Sequence, residues 1–455
     1  MRAKIPARPG LAWLRAGITA GRIDTVIVAV PDLFGRLMGK RMTGRHFLKS
    51  VTGEGVHGCS YLLTVSIEMG PLDGFKVANW EKGFGDFVLR PDWAAIRLVP
   101  WHEKTVLVLC DLVRDDGSEV AEAPRAVLKG QVARLAKHGL SCQIAGELEF
   151  YLFEQDYRRA WRTGYRGMTP SSDYRIDYHT LQPGRDEHFF GAVRRLFPLA
   201  GVGVESSHGE WGKGQHEVNL AHAEPMRMAD THAVFKHGIR ELAARGGRSV
   251  TFMAKFSPTE AGSSCHIHVS VWRGKTALFR AASGRDSKYF RGFLGGLLKY
   301  SRELGVFFAP TVNAYKRYQS ASWAPTRMAW ARDNRTTGFR AVGSGNSARI
   351  ENRLPGADAN PYLAFAAMLA AGTAGVAEGL DCGRPYEGNA YLDDRLPAVP
   401  RSLAEAAELL DRSRMARRSF GDGVVDFYVR HARLESAAFD SAVTDWEKIR
   451  YFERI

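Results

Sequence analysis

The sequence predicts a mixed α+β fold in two domains. The chain has 455 residues, more than a single hydrophobic core usually serves. Its first part is rich in strand-like runs, whereas beyond residue 124 helical spacings alternate with strand-like runs. Between the two lies the polar stretch 114–123, which ends at Pro124. We therefore place the domains at residues 1–115 and 116–455.

The first domain is expected to be small and built mainly of strands. Runs rich in β-branched and apolar residues, bounded by Gly, Pro and Asp, are typical of strands. Such runs are residues 24–30, 61–67, 86–89 and 105–112.

The second domain is expected to alternate helices with strands. Helical spacing closed by glycine or opened by a capping residue predicts helices at residues 125–138, 225–245, 287–303 and 402–413. Strands are predicted at residues 141–153 and 249–256. The Ala-rich segment 361–376, with Asn360 as N-cap and Pro361 at the first helical position, predicts a buried core helix and not a membrane span.

Composition narrows the class of protein. Apolar residues make up 45% and charged residues 25%, which is typical of a globular chain. The net charge of +14 fits nucleic acid, an anionic substrate or a merely basic surface. Five cysteines without a CxxC pair indicate neither a zinc ribbon nor a disulfide framework, so we expect a cytoplasmic protein. Residues 1–15 lack the pattern of a signal peptide.

The first candidate site is a pair of carboxylates in an apolar strand. Glu147 and Glu149 lie two residues apart, so both point to one face. Two like charges on a largely buried strand are tolerated mainly when a cation compensates them. The alternative is an edge strand with a solvated face.

Further candidates follow along the chain. A second acidic set contains Glu205, Glu210 and Glu217, and its Gly-flanked turn could fold the two segments onto each other. His266 and His268 share one face of a predicted strand, as metal ligands or as structural histidines. In the strand 349–353, Glu351 alternates with Arg349 and Arg353. Mostly oxygen ligands with a single histidine favour Mg²⁺ or Mn²⁺ over zinc or copper.

Arginines supply the other half of a phosphoryl-transfer site. Arg317, Arg335 and Arg340 crowd one segment between the histidines and Glu351. The alternative is a solvated basic surface. Neither GxxxxGK[ST] nor a strand-placed GxGxxG occurs, so no classical nucleotide fold is indicated.

In this order, the segments resemble the glutamine synthetase family over nearly the whole chain. The resemblance lies in residues 31–41 and 85–92, around Glu147, Gln215 and His266, and in residues 313–317 and 360–362. It implies an α+β fold with a β-grasp-like N-terminal domain followed by a catalytic α+β domain of the glutamine synthetase type. It also implies a homo-oligomer, a dodecamer of two hexameric rings.

The resemblance implies a role for each candidate residue, with ATP as co-substrate and two or three Mg²⁺ or Mn²⁺ ions per site. One cation is held by residues matching Glu149, Glu210 and Glu217, and another by residues matching Glu147, His266 and Glu351. ATP is held by residues matching Glu205, His268, Ser270 and Arg349. Glutamate is held by residues matching Gly262, Arg317 and Arg353, and the phosphate-contacting arginines match Arg335 and Arg340. The implied reaction activates the γ-carboxylate of glutamate as γ-glutamyl phosphate, which an amine then attacks.

The acceptor amine is where the sequence departs from ammonia-using relatives. Trp323 stands where they carry a glutamate, and residues 55–61 contain no counterpart of their ammonium-binding aspartate. The segment 322–325 looks like the γ-glutamylpolyamine synthetase branch, so we expect a polyamine or small organic amine near Trp323. Ala261 replaces an asparagine expected to contact glutamate.

Two alternatives remain open. The first is a glutamine synthetase that uses ammonia, with Trp323 merely packing. The second is a non-catalytic regulatory or binding member of the fold. Neither a nucleic acid nor a membrane is expected as a partner.

Overall fold

A computed structural model of the chain describes residues 9–281 and 283–455. Residues 1–8 lie outside the described residues. They belong to the segment 1–15, which lacks the pattern of a signal peptide. The described residues form two β-sheets surrounded by helices, so the predicted α+β fold is confirmed. The predicted domain boundary near residue 115 stays a prediction.

The first sheet has five strands in the order β2-β1-β5-β4-β3. They are Thr25–Pro31 (β1), Leu37–Thr43 (β2), His57–Cys59 (β3), Asp86–Leu98 (β4) and Thr105–Val113 (β5). The two central strands, β1 and β5, run parallel, and the other neighbours are antiparallel. Every residue of β5 is buried, which agrees with its continuous apolar sequence.

The second sheet has nine strands, and it carries the functional residues. They are Ser141–Phe153 (β6), Val204–Gly209 (β7), Gln215–Ala223 (β8), Ser249–Thr251 (β9), Cys265–Arg273 (β10), Thr276–Ala277 (β11), Trp330–Arg332 (β12), Phe339–Val342 (β13) and Arg349–Asn352 (β14). The order is β12-β13-β14-β10-β6-β8-β7, with β11 paired to β10 and β9 to β6. The long strand β6 lies in the middle and is antiparallel to both β8 and β10.

Fourteen α-helices occur within the described residues. They are Leu11–Thr19 (α1), Gly44–Thr52 (α2), Pro124–Lys137 (α3), Tyr157–Arg162 (α4), Glu187–Leu196 (α5), Pro225–Arg245 (α6), Lys288–Tyr300 (α7), Gly305–Phe308 (α8), Val312–Tyr315 (α9), Pro361–Ala377 (α10), Leu403–Arg412 (α11), Arg414–Phe420 (α12), Asp422–Asp440 (α13) and Asp445–Tyr451 (α14). Short 3₁₀ turns occur at Ser60–Leu63, Trp80–Lys82, Gln182–Asp186, Phe197–Ala200, Gly345–Ser347 and Ala390–Leu392.

The helix α10 is the core helix that the sequence predicts. The Asn360 side chain accepts from the backbone N–H of Tyr362 and so caps the helix, while Pro361 occupies its first turn. The Asn360 amide also donates to the carbonyls of Asp32 and Leu33 at 3.0 Å, which ties the first sheet to the core. Within the described part of the chain, no helix is both long enough and apolar enough to cross a membrane.

One strand prediction was wrong, and another was confirmed only at its start. Residues 61–67 form a 3₁₀ turn and bends, because Leu63 and Val65 bury themselves in the core while β4 already pairs with β3 at this edge. The strand predicted at 249–256 ends at Thr251, because Lys255 bonds instead to Asn313 and the carbonyl of Ala254 accepts from Ser263. In both places long-range contacts outweigh local strand propensity.

Candidate active site

The register of the second sheet brings the predicted charged residues into one row. On β6, Glu149 lies opposite Glu217 of β8, and Glu147 lies opposite His266 of β10. His268 follows two residues after His266 on β10 and lies opposite Glu351 of β14. Glu351 in turn lies opposite Arg340 of β13. At the other end His208 of β7 lies opposite Glu217. Because cross-strand neighbours share a face, these residues gather on one side of the sheet.

This face lines a cavity of about 1210 Å³. Every residue predicted as a ligand of metal, ATP or substrate lines it, so the structure brings the whole predicted set together. These residues are Glu147, Glu149, Glu205, Glu210, Glu217, Gly262, His266, His268, Ser270, Arg317, Trp323, Arg335, Arg340, Arg349, Glu351 and Arg353. Their individual roles stay predictions.

Neutral donors fix the carboxylate of Glu149. The backbone N–H of Ser264 donates to it at 2.9 Å and the Ser264 hydroxyl at 2.7 Å, while the Gln215 amide donates at 3.1 Å. The described ion pairs include no Lys or Arg partner for this buried carboxylate. Glu149 is thus oriented by hydrogen bonds from neutral groups, an arrangement that suits a ligand of a cation.

At the other end of the row, Glu351 is fully buried between two arginines. Arg340 donates to it at 2.9 Å and Arg353 at 2.5 Å. Burial alone would raise the pKa of Glu351, but the charge of Arg353 and the nearby histidines lower it to about 2. This carboxylate is therefore ionised at neutral pH.

Two histidines frame Glu147. His268 Nε2 lies 2.8 Å from the carboxylate and His266 Nδ1 lies 3.3 Å from it. Burial would raise the pKa of Glu147, but the hydrogen bonds from both imidazoles bring it far below its usual value. Arg349 donates to His268 Nδ1 at 3.2 Å, so His268 carries its proton on Nε2.

The buried Nε2 of His266 has no hydrogen-bond partner among the residues that the structure describes. An unsatisfied buried nitrogen beside carboxylates is the arrangement that a metal ion completes. Three groups of side chains bring ligand atoms within 4.8 Å of one another: Glu147 with Glu217 and His266, Glu147 with His268 and Glu351, and His208 with Glu210 and Glu217. The donor set fits hard divalent cations. The expected division into two triads stays a prediction.

A third carboxylate region surrounds Glu210. Burial and the charges of Glu149, Glu217 and Asp177 raise its pKa to about 10. The pKa of Glu217 is also raised, first by burial, although His208 Nε2 lies 3.2 Å from its carboxylate. Such crowding is stable at neutral pH when a cation neutralises the acids.

Arg317 and Gly262 form the floor of the cavity. The buried guanidinium of Arg317 donates to the carbonyls of Leu354 at 2.9 Å and Arg353 at 3.0 Å. A Cβ atom at Gly262 would lie 2.6 Å from the Arg317 side chain and 2.8 Å from the carbonyl oxygen of Ala254. Glycine is therefore required here by close packing.

An aromatic group closes the end of the cavity near Glu210. The rings of Trp323 and Trp211 meet edge to face, with centroids 5.7 Å apart. Tyr178 stacks on His208 at 4.6 Å. Trp323 has a left-handed backbone with φ of 65°, and its carbonyl accepts from Arg353 at 3.1 Å.

Sequence reasoning missed several residues of this site: Asp177, Tyr178, His208, Trp211 and Asn219. His208 carries a local signal, because it lies two residues before Glu210 on a strand and next to the predicted acidic set. Asp177 and Tyr178 belong to a loop far from that set in sequence, so no spacing could have indicated them.

Comparison with known proteins agrees with this geometry. The family model "Glutamine synthetase, catalytic domain" matches residues 121–451. The chain belongs to the glutamine synthetase family. The predictions of the family and of an enzyme with ligase activity are confirmed.

Relatives extend the match to nearly the whole chain. Gamma-glutamylethanolamide synthetase GlnA4 of Streptomyces coelicolor is 47% identical over 446 residues, covering 98% of this chain and 96% of that protein. The glutamate–isopropylamine ligase of a Pseudomonas species is 34% identical, covering 97% and 98%. A solved GmaS/ADP complex matches with a TM-score of 0.84 at 25% identity, covering 97% and 99%. Ligases of the glutamine synthetase family use ATP and divalent metals.

Proposed function

We propose that this protein is an ATP-dependent ligase that joins the γ-carboxylate of glutamate to a small organic amine through γ-glutamyl phosphate. The observation that carries the proposal is the aromatic pair Trp211 and Trp323 at the Glu210 end of the carboxylate-lined cavity. Relatives named for ethanolamine and isopropylamine support an organic acceptor. The sequence left polyamines and small amines open, and we propose the small amines.

The proposed metal set consists of Glu147, Glu149, Glu210, Glu217, His266 and Glu351, with two or three Mg²⁺ or Mn²⁺ ions per site. When bound, such ions neutralise the charge of the transferring phosphoryl group and polarise its oxygens. The unsatisfied Nε2 of His266 and the raised pKa of Glu210 support ligation at these residues. Glu205, His268, Ser270 and Arg349 are proposed to hold ATP.

The proposed reaction has two steps. An oxygen of the glutamate γ-carboxylate attacks the γ-phosphorus of ATP, and ADP leaves. The amine nitrogen then attacks the acyl carbon, and phosphate leaves as the amide forms. We propose that Arg335 and Arg340 stabilise charge on the phosphoryl oxygens and that Arg317 and Arg353 hold glutamate.

The acceptor has to lose a proton before it attacks. A free alkylamine is mostly an ammonium ion near neutral pH, so nearby carboxylates both attract it and take its proton. Asp177, which is outside the proposed metal set, is a carboxylate on the aromatic side of the cavity. The indole of Trp323 offers an apolar wall and a cation-attracting face for the carbon chain of the amine.

The test is ADP release measured with glutamate and a panel of amines. We expect turnover that requires both glutamate and an amine such as ethanolamine or isopropylamine. ADP release that does not depend on the amine across the panel would contradict the proposal. Salt-sensitive nucleic-acid binding without any ATP turnover would support the non-catalytic alternative instead.

Assembly and location also belong to the proposal. We propose a homo-oligomer, a dodecamer of two hexameric rings, that works in the cytoplasm without nucleic acid or membrane as a partner. Size-exclusion chromatography with light scattering tests the subunit number.

A further inference from the structure

An exposed arginine, Arg175, lies against the aromatic end of the cavity, on Trp211 and outside the residues that line the cavity. The guanidinium carbon of Arg175 lies 4.4 Å from the centroid of the Trp211 ring. Over residues 9–281 and 283–455, Arg175 forms no ion pair with a carboxylate. Its charge is therefore compensated by the indole face and by solvent, and not by an acid.

The position of Arg175 is built into the fold. Its neighbour Ile176 is fully buried beneath Gly209, where an added Cβ would lie 2.5 Å from the Ile176 side chain. The backbone N–H of Tyr178 donates to the Gly209 carbonyl at 3.2 Å, and the Tyr178 ring stacks on His208. The segment that carries Arg175 is thus attached to β7 through Ile176 and Tyr178.

Trp211 connects this charge to the proposed acceptor wall. One side of the Trp211 ring faces Arg175, and the ring also meets Trp323 at 5.7 Å. The three side chains therefore contact one another in the order Arg175, Trp211, Trp323. The cation lies on the Trp211 ring, and Trp323 is the residue that the amine is proposed to contact. A second cation, Arg335, lies near Tyr178 on the same side.

Three acids line this end of the cavity: Asp177, Glu210 and Glu217. The charges of Glu210, Glu217 and Asp177 raise the pKa of Tyr178, and those of Glu217 and Asp177 help to raise the pKa of Glu210, with burial the largest cause for both groups. Of these three acids, only Asp177 lies outside the proposed metal set, and it attracts the ammonium group whose deprotonated nitrogen becomes the nucleophile. Asp173 and Asp177 lie two residues to either side of Arg175, and neither forms a described ion pair with it, so the guanidinium on Trp211 is the charge that the tail of an acceptor would meet behind this ring.

We propose that Arg175 is a specificity-determining residue that excludes acceptors with a second positive charge, so that monoamines with a neutral tail are preferred over diamines and polyamines. This inference rests on the proposed amine ligase function and names its substrate class. Because Arg175 is solvent-exposed, its repulsion of a second ammonium group is partly screened, and we expect it to change selectivity about three- to tenfold.

The experiment compares Arg175→Glu and Arg175→Gln with the wild type, using ethanolamine and 1,4-diaminobutane as acceptors. The readout is the ratio of kcat/KM for the diamine to kcat/KM for the monoamine, with the KM for glutamate measured alongside. We expect the ratio to rise about threefold in Arg175→Gln and about tenfold in Arg175→Glu, with the KM for glutamate unchanged. Added salt should raise the wild-type ratio, because screening weakens the repulsion.

The matched control is Arg162→Glu, which reverses an exposed arginine of α4 that, unlike Arg175, stacks on no described ring of the cavity. An equal rise in the control, or no rise in Arg175→Glu while the monoamine still reacts, overturns the inference and leaves the amine ligase intact. If the wild type forms no amide from any organic amine, the proposed function and the inference fail together. Melting temperatures of the variants identify a change that comes from misfolding.

Discussion

The backbone carbonyl of Trp323 accepts a hydrogen bond from Arg353 at 3.1 Å, and the same guanidinium pairs with Glu351 at 2.5 Å. Arg353 therefore joins the proposed acceptor wall to the row of candidate metal ligands. Because the bond uses the carbonyl and not the indole, a side-chain substitution at Trp323 leaves this link in place. The two halves of the proposed reaction can thus be tested separately.

The first prediction concerns the indole of Trp323. In Trp323→Ala, kcat/KM for the organic amine should fall about tenfold, because the apolar and cation-attracting wall is lost. The KM for glutamate should change less than threefold, roughly, since Arg353 keeps its partners. Trp161→Ala removes an exposed tryptophan of α4 and serves as the control. Equal losses for glutamate and amine would argue against an acceptor role.

The second prediction concerns Glu149. In Glu149→Gln the charge is lost, and the new amide group meets the donors of Ser264 and Gln215, which are oriented for a carboxylate. ATP turnover should fall at least about a hundredfold, and excess Mg²⁺ or Mn²⁺ should restore little of it. Glu103→Gln, at an exposed position, should behave as the wild type. Normal turnover in Glu149→Gln would refute the metal assignment.

The third prediction concerns acid stability and His232. Both ring nitrogens of this buried histidine lack a partner among the described residues, and burial together with Lys236 and Arg240 holds its pKa well below the usual value. Only the unfolded chain takes up a proton near pH 6.5, so this contribution to stability is complete above that pH and falls by about 1.4 kcal/mol per unit below it.

His232→Leu should therefore flatten the loss of unfolding free energy between pH 6.5 and pH 5, by about 2 kcal/mol over that interval. Urea unfolding at several pH values measures it. His46→Leu, at an exposed position, is the control. If the unfolding free energy of His232→Leu falls with decreasing pH as steeply as that of the wild type, another group controls the acid response.

The fourth prediction concerns the junction of the first sheet with the helices. Buried Arg125 pairs with Asp92 of β4 at 2.5 Å, with Asp111 of β5 at 2.9 Å and with Asp230 of α6. Arg125→Ala would remove the cation from Asp92 and Asp230, while Asp111 keeps Lys129, and should cost about 3–5 kcal/mol. Arg125→Lys keeps the positive charge but lacks the branched guanidinium that bonds to three carboxylates. Its unfolding free energy should therefore lie between those of the wild type and Arg125→Ala. Equal stability of both variants would contradict this account.

The sequence alone was sufficient to predict which candidate ligands share one face of a strand. Alternation along a strand placed Glu147 with Glu149, and His266 with His268, because side chains of a strand repeat every two residues. Glu149 lies opposite Glu217 because of the register between their two strands. The turn between the acidic segments predicted that the segments pair, but not which residues face each other.

Long-range contacts limited the rest. Residues 61–67 have the composition of a strand, but they could form one only if an edge of the first sheet were free to pair with them. Trp211 lies next to Glu210 in the sequence, yet its importance comes from Trp323 and Arg175, which approach from distant segments. A single sequence without the fold does not place those three residues together.

The central claim is that an organic amine, and not ammonia, accepts the γ-glutamyl group. The most direct measurement is a competition in which ATP, glutamate and equal concentrations of ammonium and ethanolamine are incubated with the enzyme, and the products are resolved by mass spectrometry. We predict that γ-glutamylethanolamide dominates and that glutamine is a minor product. Glutamine as the main product would contradict the claim and support the ammonia-using alternative.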